Sequence, residues 1–550
     1  MKRMKDGLIA VWLVSIFVFS LSATRVRADT SHTPESQETY QGVIYAGVPC
    51  AYSEKLDEIQ CGLFPLKQAI GLLRDGYVEP LDTQKLAGIA IAAGTKHIKE
   101  FSYKPERIKA LDIAMRDLEG TQEKYNPNDW QWWRMTYLLR PLSGALTEAR
   151  PGVEKLGPRA FELLVKEARD AAISAMIDTL DPHTDYIAVG SEMHERVIER
   201  ANSMSGKEKF GGIGAALREW DSEIGPVYVL MPFPKTPAGE NLEPFDEIIR
   251  VDGIPVTRAE DAASKIRGTI GTTLTLSIRR DGIERDVVLE RKEIKPQSAV
   301  GKLYVVGDAR VCYVYTSQFA VGIAKEIRSL FEESGVCASA NTAIFDYRGN
   351  SGGILQEAID VVQASLPKTD ADVSQEVLIR IVGRSSEVIT RDAALAMRAW
   401  KYPPVILQDN GSASASEIVI GALTPYVTSV GDRTFGKSAV MTRFMLSDGS
   451  VFIMTIMKFL LRDAADHDGM GFTPHVYFNR AMFKRFVPKT PPEREENQER
   501  YRGSGPHFSD AEKLVMFLGN RDPQLGIALS IFMHPEKFSH KPVSEKGGNK

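Results

Sequence analysis

The segment Asn410-Gly411-Ser412-Ala413-Ser414-Ala415-Ser416-Glu417 follows the apolar run Val405–Leu407 and precedes the helical pattern Ile418–Leu423. A strand, a tight turn of small residues and then a helix present a side chain at the positive end of a helix dipole. Backbone N–H groups there can hold an oxyanion, and small side chains let a peptide come close. The same hydroxyls also read as an N-cap cluster, because Ser and Asn favour helix starts. Further on, Thr434-Phe435-Gly436-Lys437 lies between two strand-like runs, Val427–Val430 and Arg443–Met445. Desolvation favours a neutral Lys, and a neutral amine can act as general base to a Ser. Taken alone, a Lys is ordinarily a solvated charge. The third element is Asp346-Tyr347-Arg348 running into Gly349-Asn350-Ser351-Gly352-Gly353. Free N–H groups of that turn could supply the other half of an oxyanion hole. Otherwise it is a plain turn between a strand and a helix.

Other signatures compete for the same residues. Gly349–Gly353 fits GxSxG with Ser351 as the elbow nucleophile, but no downstream His has the context of a triad base. Residues 431–438 (GDRTFGKS) fit the phosphate-loop pattern, which should run straight into a helix. Here AVMTRFML follows and reads as a strand. Asp466-His467-Asp468 could attract a cation, yet three polar residues in a loop usually meet only water. The nine His include no HExxH, and no Cys/His zinc spacing occurs. The expectation is no metal and no cofactor.

In their order along the chain, DYRGNSGG, SASASE and VGDRTFGK resemble one family, the carboxy-terminal processing peptidases of bacteria and plastids. That family carries DxRxNxGG, SASAS-E and TFGK motifs after a PDZ domain. FGGIG at 210–214 and DEIIRVDGIPV at 246–256 are similar to the PDZ part. LDPHTDY at 180–186, GFTPH at 471–475 and DPQLGIAL at 522–529 extend the likeness, which covers about 60–100 and 172–532. The resemblance implies an exported serine endopeptidase acting at or near C-terminal tails. It makes Ser414 the nucleophile and Lys437 its base, with oxyanion donors at Gly352 or Gly353 and at Ala415. It also implies a PDZ groove that takes a chain end as an added strand. The loop Gly211-Gly212-Ile213-Gly214 would hold the terminal carboxylate.

Three departures stand out. Met441 occupies the position, four residues after the Lys, where the family usually has Gln. Met offers only a weak acceptor and no donor, so Thr442 or Ser438 would have to replace it. The interval from Ser414 to Lys437 is 23 residues, about two shorter than the family's usual spacing. Residues 100–171 read as an insertion. The first two, Met441 above all, support the alternative of a catalytically weak or inactive homologue acting as a peptide-binding scaffold, whereas the insertion bears on regulation or partners. Retention of Ser414, Lys437 and the glycine turn argues against that alternative.

The elements that must position these residues suggest an α/β multidomain chain. Residues 1–28 read as a signal peptide and 29–208 as an N-terminal helical region. Residues 209–293 read as a β-rich PDZ-like domain of short strands punctuated by Gly, Pro and Asp, with a helix at Ala259–Arg267. Residues 294–487 alternate strand and helix, the pattern of an α/β protease core. Residues 488–550 read as a linker, a short helix at Asp522–Phe532 and a tail. Trp130, Trp132 and Trp133 read as core anchors in the insertion.

The leader reading rests on Lys2, Arg3 and Lys5 before an uncharged stretch, Gly7 to Ala23. Its removal after Ala28 would take the net charge from −4 to −8. The expected location is periplasmic, with membrane attachment only through an uncleaved leader. With 72 acidic residues against 68 basic ones, nucleic acid is not an expected partner. The expected partners are protein or peptide C-termini as substrate, with room for an adaptor or a homo-oligomer. Of the four cysteines, Cys50 and Cys61 form the natural pair, whereas Cys312 and Cys337 read equally as a pair or as buried thiols.

Overall fold

The computed structural model describes residues 43–45, 59, 62–101, 138–156, 159–204, 210–219, 226–295, 297–365, 379–384, 387–390, 400–461, 466–478, 515, 519 and 522–534. The leader, Cys50, Cys61, the three Trp of the insertion and the final tail lie outside them. The chain divides into two compact units.

The first unit takes in Met1–Ala201, Ile381–Val388 and Ala439–Phe459. Its helices include Phe64–Gly76, Thr83–Phe101, Arg140–Val153 and Ala160–Ile177. Leu66, Ile70 and Leu73 recur at helical spacing and are fully buried, as are Ile91, Leu142, Leu146 and Leu164. The strand Ala439–Met445 pairs antiparallel with Val451–Leu461, and Phe452 and Met454 join the same core. The LDPHTDY segment acts as a knot in this unit. The Asp181 carboxylate accepts the Tyr77 hydroxyl at 2.9 Å, the His183 amide at 2.8 Å, and the hydroxyls of Thr184 and Thr455 at 2.7 and 2.9 Å.

The second unit takes in Asn202–Arg380, Ile389–Ser438 and Leu460–Lys550. Among the described residues it contains two large sheets of different character, besides a two-stranded one. One runs in the order Ala215–Glu219, Val227–Pro232, Glu247–Val251, Thr273–Arg280 and Ile283–Glu290, each strand antiparallel to its neighbour. Alternation places Val227, Val229, Leu274, Leu276 and Ile278 in its core with Ala262 and Ile266 of the helix Ala259–Ile266. Ala215–Glu219 forms one edge of this sheet.

The other sheet runs in the order Ala299–Val306, Ala309–Thr316, Thr342–Asp346, Val405–Gln408, Thr428–Gly431 and Val476–Tyr477. Its first pair is antiparallel and every later pair is parallel. Strands TAIFD, VILQ and TSVG are buried throughout, as parallel strands covered on both faces must be. Helices Ile323–Phe331, Leu355–Ser365 and Ala415–Leu423 follow strands of this sheet, so the fold is mixed α/β as the alternation suggested. A disulfide joins Cys312 to Cys337, with Cα atoms 5.5 Å apart. The last helix spans Pro523–Met533, because Asp522 caps its start rather than entering it. A strand, not a helix, follows Lys437, which removes the phosphate-loop reading.

Candidate active site

In open α/β sheets, ligands bind beyond the carboxyl ends of the parallel strands. Here those ends are Asp346, Gln408 and Gly431, in register side by side through the pairs Asp346–Leu407 and Gln408–Gly431. Each leads directly into one of the three motif turns.

The turn after Gln408 separates the three serines. Ser412 and Ser416 are fully buried. The Ser412 hydroxyl donates to the Tyr347 carbonyl at 2.8 Å, and that of Ser416 donates to the Asn350 carbonyl at 2.7 Å. Ser414 alone is partly exposed. Its backbone has φ +56° and ψ −115°, a strained conformation for a residue with a Cβ. The turn therefore holds one serine up and ties the other two down.

Glu417 is almost fully buried and joins this turn to the next. Its Oε2 accepts the Ser414 amide at 2.8 Å and the Lys437 amide at 2.7 Å. Its Oε1 accepts the Gly436 amide at 2.6 Å and the Thr434 hydroxyl at 2.7 Å. Sequence reasoning overlooked Glu417 as a site residue. Its signal was the Ser-x-x-Glu spacing of a helix start, where the Glu side chain reaches back to the Ser amide. Gly436 has φ +89°, and a Cβ there would stand 2.7 Å from the Gly471 nitrogen. The segment 469–471 thus lies directly on the TFGK turn, and Ser438 donates to Asp466 Oδ1 at 2.7 Å. Lys437 is partly buried.

The glycine turn packs against the serine turn. A Cβ on Gly352, whose φ is +99°, would stand 2.9 Å from the Ser414 Cβ and 2.9 Å from the Ala415 nitrogen. Asn350 stitches the two together. Its carbonyl accepts the Ala413 amide at 3.0 Å, its Nδ2 donates to the Thr316 carbonyl at 3.0 Å, and its Oδ1 accepts the Gly352 amide at 2.9 Å. Of the expected oxyanion donors, Gly352 is therefore engaged within the turn. The amides of Gly353 and Ala415 have no hydrogen bond among the described residues. Asp409 completes the frame by accepting the Gly349 amide at 2.8 Å.

Beneath the glycine turn lies a buried charge cluster. Arg348 donates through Nε and Nη2 to Asp346 at 2.9 and 2.6 Å, and through Nη1 and Nη2 to Asp522 at 2.8 and 2.7 Å. Arg218, on the edge strand Ala215–Glu219, donates to the Arg348 carbonyl at 2.6 Å and reaches Asp346 at 3.4 Å. Burial alone would raise the Asp346 carboxyl, but the guanidiniums of Arg348 and Arg218 outweigh it and hold the group at about 2. Burial would likewise discharge Arg348, and Asp346 with Asp522 reverse that.

The expected peptide loop sits at the start of the antiparallel sheet. Phe210–Gly212 pairs with Lys292–Ile294, and Gly211 bridges Gly268. The Ile213 carbonyl accepts the Ala238 amide, and the Gly214 carbonyl accepts the Phe233 amide, both at 2.8 Å. The amides of Ile213 and Gly214 have no hydrogen bond among the described residues. Glu219, at the far end of the edge strand, caps the helix Ala259–Ile266 by accepting the Ala259 amide at 2.8 Å.

Residues 310–478 match the sequence profile of Peptidase family S41. The carboxy-terminal-processing protease of Bartonella bacilliformis is 29% identical over 328 residues, covering 57% of this chain and 70% of the relative. The carboxyl-terminal-processing protease of Synechocystis sp. is 28% identical over 368 residues, covering 64% and 76%. Among solved structures, a photosystem II D1 C-terminal processing protease aligns at 19% identity with a TM-score of 0.38, over 77% of this chain and 94% of that one. The matched residues contain the DYRGNSGG, SASASE and TFGK turns. Residues 310–478 thus form a peptidase family S41 domain, and around it the chain is similar to carboxy-terminal processing proteases.

Proposed function

We propose that the protein is an exported serine endopeptidase that cuts other proteins at or near their C-terminal tails, with Ser414 as nucleophile and Lys437 as base. The observation that carries this reading is the Glu417 carboxylate, which holds the backbone of both residues at once. The neutral Lys437 amine takes the Oγ proton as Ser414 attacks the peptide carbonyl carbon. The carbonyl electron pair moves onto oxygen, which the Gly353 and Ala415 amides receive. Gly352 shapes this pocket, with its own amide held by Asn350. Collapse breaks the C–N bond, and the leaving amine takes back the proton from Lys437. Water, deprotonated by the same amine, then hydrolyses the acyl ester.

In this reading residues 209–293 act as a PDZ-like reader of the free chain end. The Gly211–Gly214 loop supports it by its two uncommitted amides, and the adjoining edge strand Ala215–Glu219 offers a place to add a strand. A scaffold without catalysis is disfavoured, because the raised Ser414, Lys437 and the two amides are all retained. We place the protein in the periplasm. The basic start and apolar stretch of the leader support this, as does the Cys312–Cys337 bond, since disulfides persist in oxidising compartments.

The test is incubation of purified protein with an unstructured polypeptide ending in apolar residues, its C-terminus free or amidated. Wild type should cut the free form faster, and Ser414→Ala should cut neither. Equal rates on the two forms would remove chain-end recognition; cleavage by Ser414→Ala would remove the mechanism.

A further inference from the structure

The buried charge cluster reaches beyond the residues matched by the family profile. Asp522 lies 174 residues after Arg348. It does two separable jobs. As the N-cap of the helix Pro523–Met533, its Oδ1 accepts the Leu525 amide at 3.0 Å. As a charge, it grips the Arg348 guanidinium with both oxygens, at 2.8 and 2.7 Å. Gln524, the second residue of the same helix, adds its Oε1 to Arg348 Nη1 at 2.8 Å. Arg348 and Asp522 are only 3% and 1% exposed, so water does not replace either partner. Arg218 and Arg348 against Asp346 and Asp522 make a neutral set of four.

Arg348 is also the first residue of the turn that ends in Gly353. Its side chain is locked by two carboxylates that share its Nη2, and a bidentate guanidinium fork fixes direction as well as distance. Between Arg348 and Gly353 the chain is held by Asp409 and Asn350. Without the charge of Asp522, the Arg348 side chain would keep Asp346 and only the neutral Gln524 oxygen on the side of the last helix. The amide at the other end of the turn would then wander from the place beside Ser414.

We infer that Asp522 is a positioning residue for catalysis: the last helix braces the glycine turn through Arg348 and so aims the Gly353 amide at the developing oxyanion. This rests on the proteolytic reading above. The role predicts a selective kinetic signature. A donor misplaced by a fraction of an ångström stabilises the transition state less but leaves ground-state peptide binding largely intact.

Asp522→Asn separates the two jobs, because Asn caps a helix as well as Asp does but carries no charge. Its kcat should fall roughly ten- to a hundredfold, with KM within about twofold, since removing an oxyanion donor outright lowers kcat by about 10²–10³. A second variant returns a carboxylate to Arg348 from the same helix. Asp522→Asn combined with Gln524→Glu should recover much of the lost kcat. It also serves if the single variant fails to fold, since it restores the neutral set. Both are assayed beside wild type and Ser414→Ala, with thermal midpoints recorded. If wild type cleaves and folded Asp522→Asn keeps its kcat, the inference is overturned alone. It is also overturned if kcat and KM worsen by the same factor, or if the double variant folds without recovery. If wild type does not cleave and matches Ser414→Ala, the proteolytic reading falls and takes this assignment with it.

Discussion

The backbone amides of Ser414 and Lys437 meet on one oxygen of Glu417, at 2.8 and 2.7 Å, although the two residues belong to different turns. The other oxygen of that carboxylate holds Gly436 and Thr434. A carboxylate accepts at both oxygens, whereas an amide accepts at one and donates at the other. Glu417→Gln therefore has to turn its NH2 toward two donors. It should lose about 2–4 kcal/mol of stability, as two hydrogen bonds to a buried charge are broken. Peptidase activity should fall at least roughly a hundredfold, because nucleophile and base lose their common anchor. Urea unfolding and cleavage assays on one preparation check both numbers. Near-wild-type activity in Glu417→Gln would show that the dyad is aligned by other contacts.

The three serines of the SASAS turn should respond in distinct ways. Ser414→Ala should abolish cleavage and leave the melting temperature almost unchanged, since its side chain is partly exposed. Ser412→Ala and Ser416→Ala each remove one of two donors from a buried carbonyl, of Tyr347 or Asn350, which keeps the Asn350 or Ala413 amide respectively. Those two should destabilise by roughly 0.5–1.5 kcal/mol, the net worth of one hydrogen bond, while retaining measurable turnover. If Ser412→Ala is inactive at full stability, the nucleophile has been placed in the wrong register.

Met441 lies on the strand Ala439–Met445, opposite Thr455 and beside a register shift after Val440. On the expectation that the family carries Gln at this position, Met441→Gln should raise kcat at moderate pH by giving the Lys437 amine a directing partner. We expect a gain of a few-fold, roughly 1 kcal/mol at most, the usual net worth of one hydrogen bond. A slower Met441→Gln beside a fast wild type would mean that another group already orients the amine.

Acid should unfold the second unit through Asp346. Its carboxyl sits at about 2 in the folded protein, against about 3.9 in an unfolded chain. The stabilisation is complete above pH ~4 and disappears as pH falls through ~2, because protonation then favours the unfolded form. The shift corresponds to roughly 2–3 kcal/mol. Urea midpoints measured between pH 6 and 3 should begin to drop near pH ~4. A flat profile down to pH ~3 would contradict the low folded value.

Much of the site was legible because its signals are local. A strand, a turn of small residues and a helix follow one another within Val405–Leu423, and hydrophobic spacing with Ser and Gly punctuation marks each boundary. The Pro523 start of the last helix is equally local. The contacts that organise the turns are not. Nothing in the neighbourhood of Arg348 tells that its second carboxylate comes from Asp522, and nothing near Ala215–Glu219 tells that Arg218 reaches the Arg348 carbonyl. Such pairings depend on which strand ends the sheet places together. The same holds for the glycines, where both Gly352 and Gly353 fit a turn, but only the side chain of Asn350 decides which amide is already engaged. Cys312 and Cys337 were ambiguous for a related reason, since burial and bonding leave the same apolar surroundings in a sequence.

The wait for Asp522 has a consequence for the order of events during synthesis. A chain emerging from its N-terminus delivers Ser414, Lys437 and the glycine turn well before residue 522. Until that helix arrives, Arg348 faces Asp346 alone, and the oxyanion turn lacks its brace. On the positioning role inferred for Asp522, cleavage would begin only once this last helix has docked, late in synthesis.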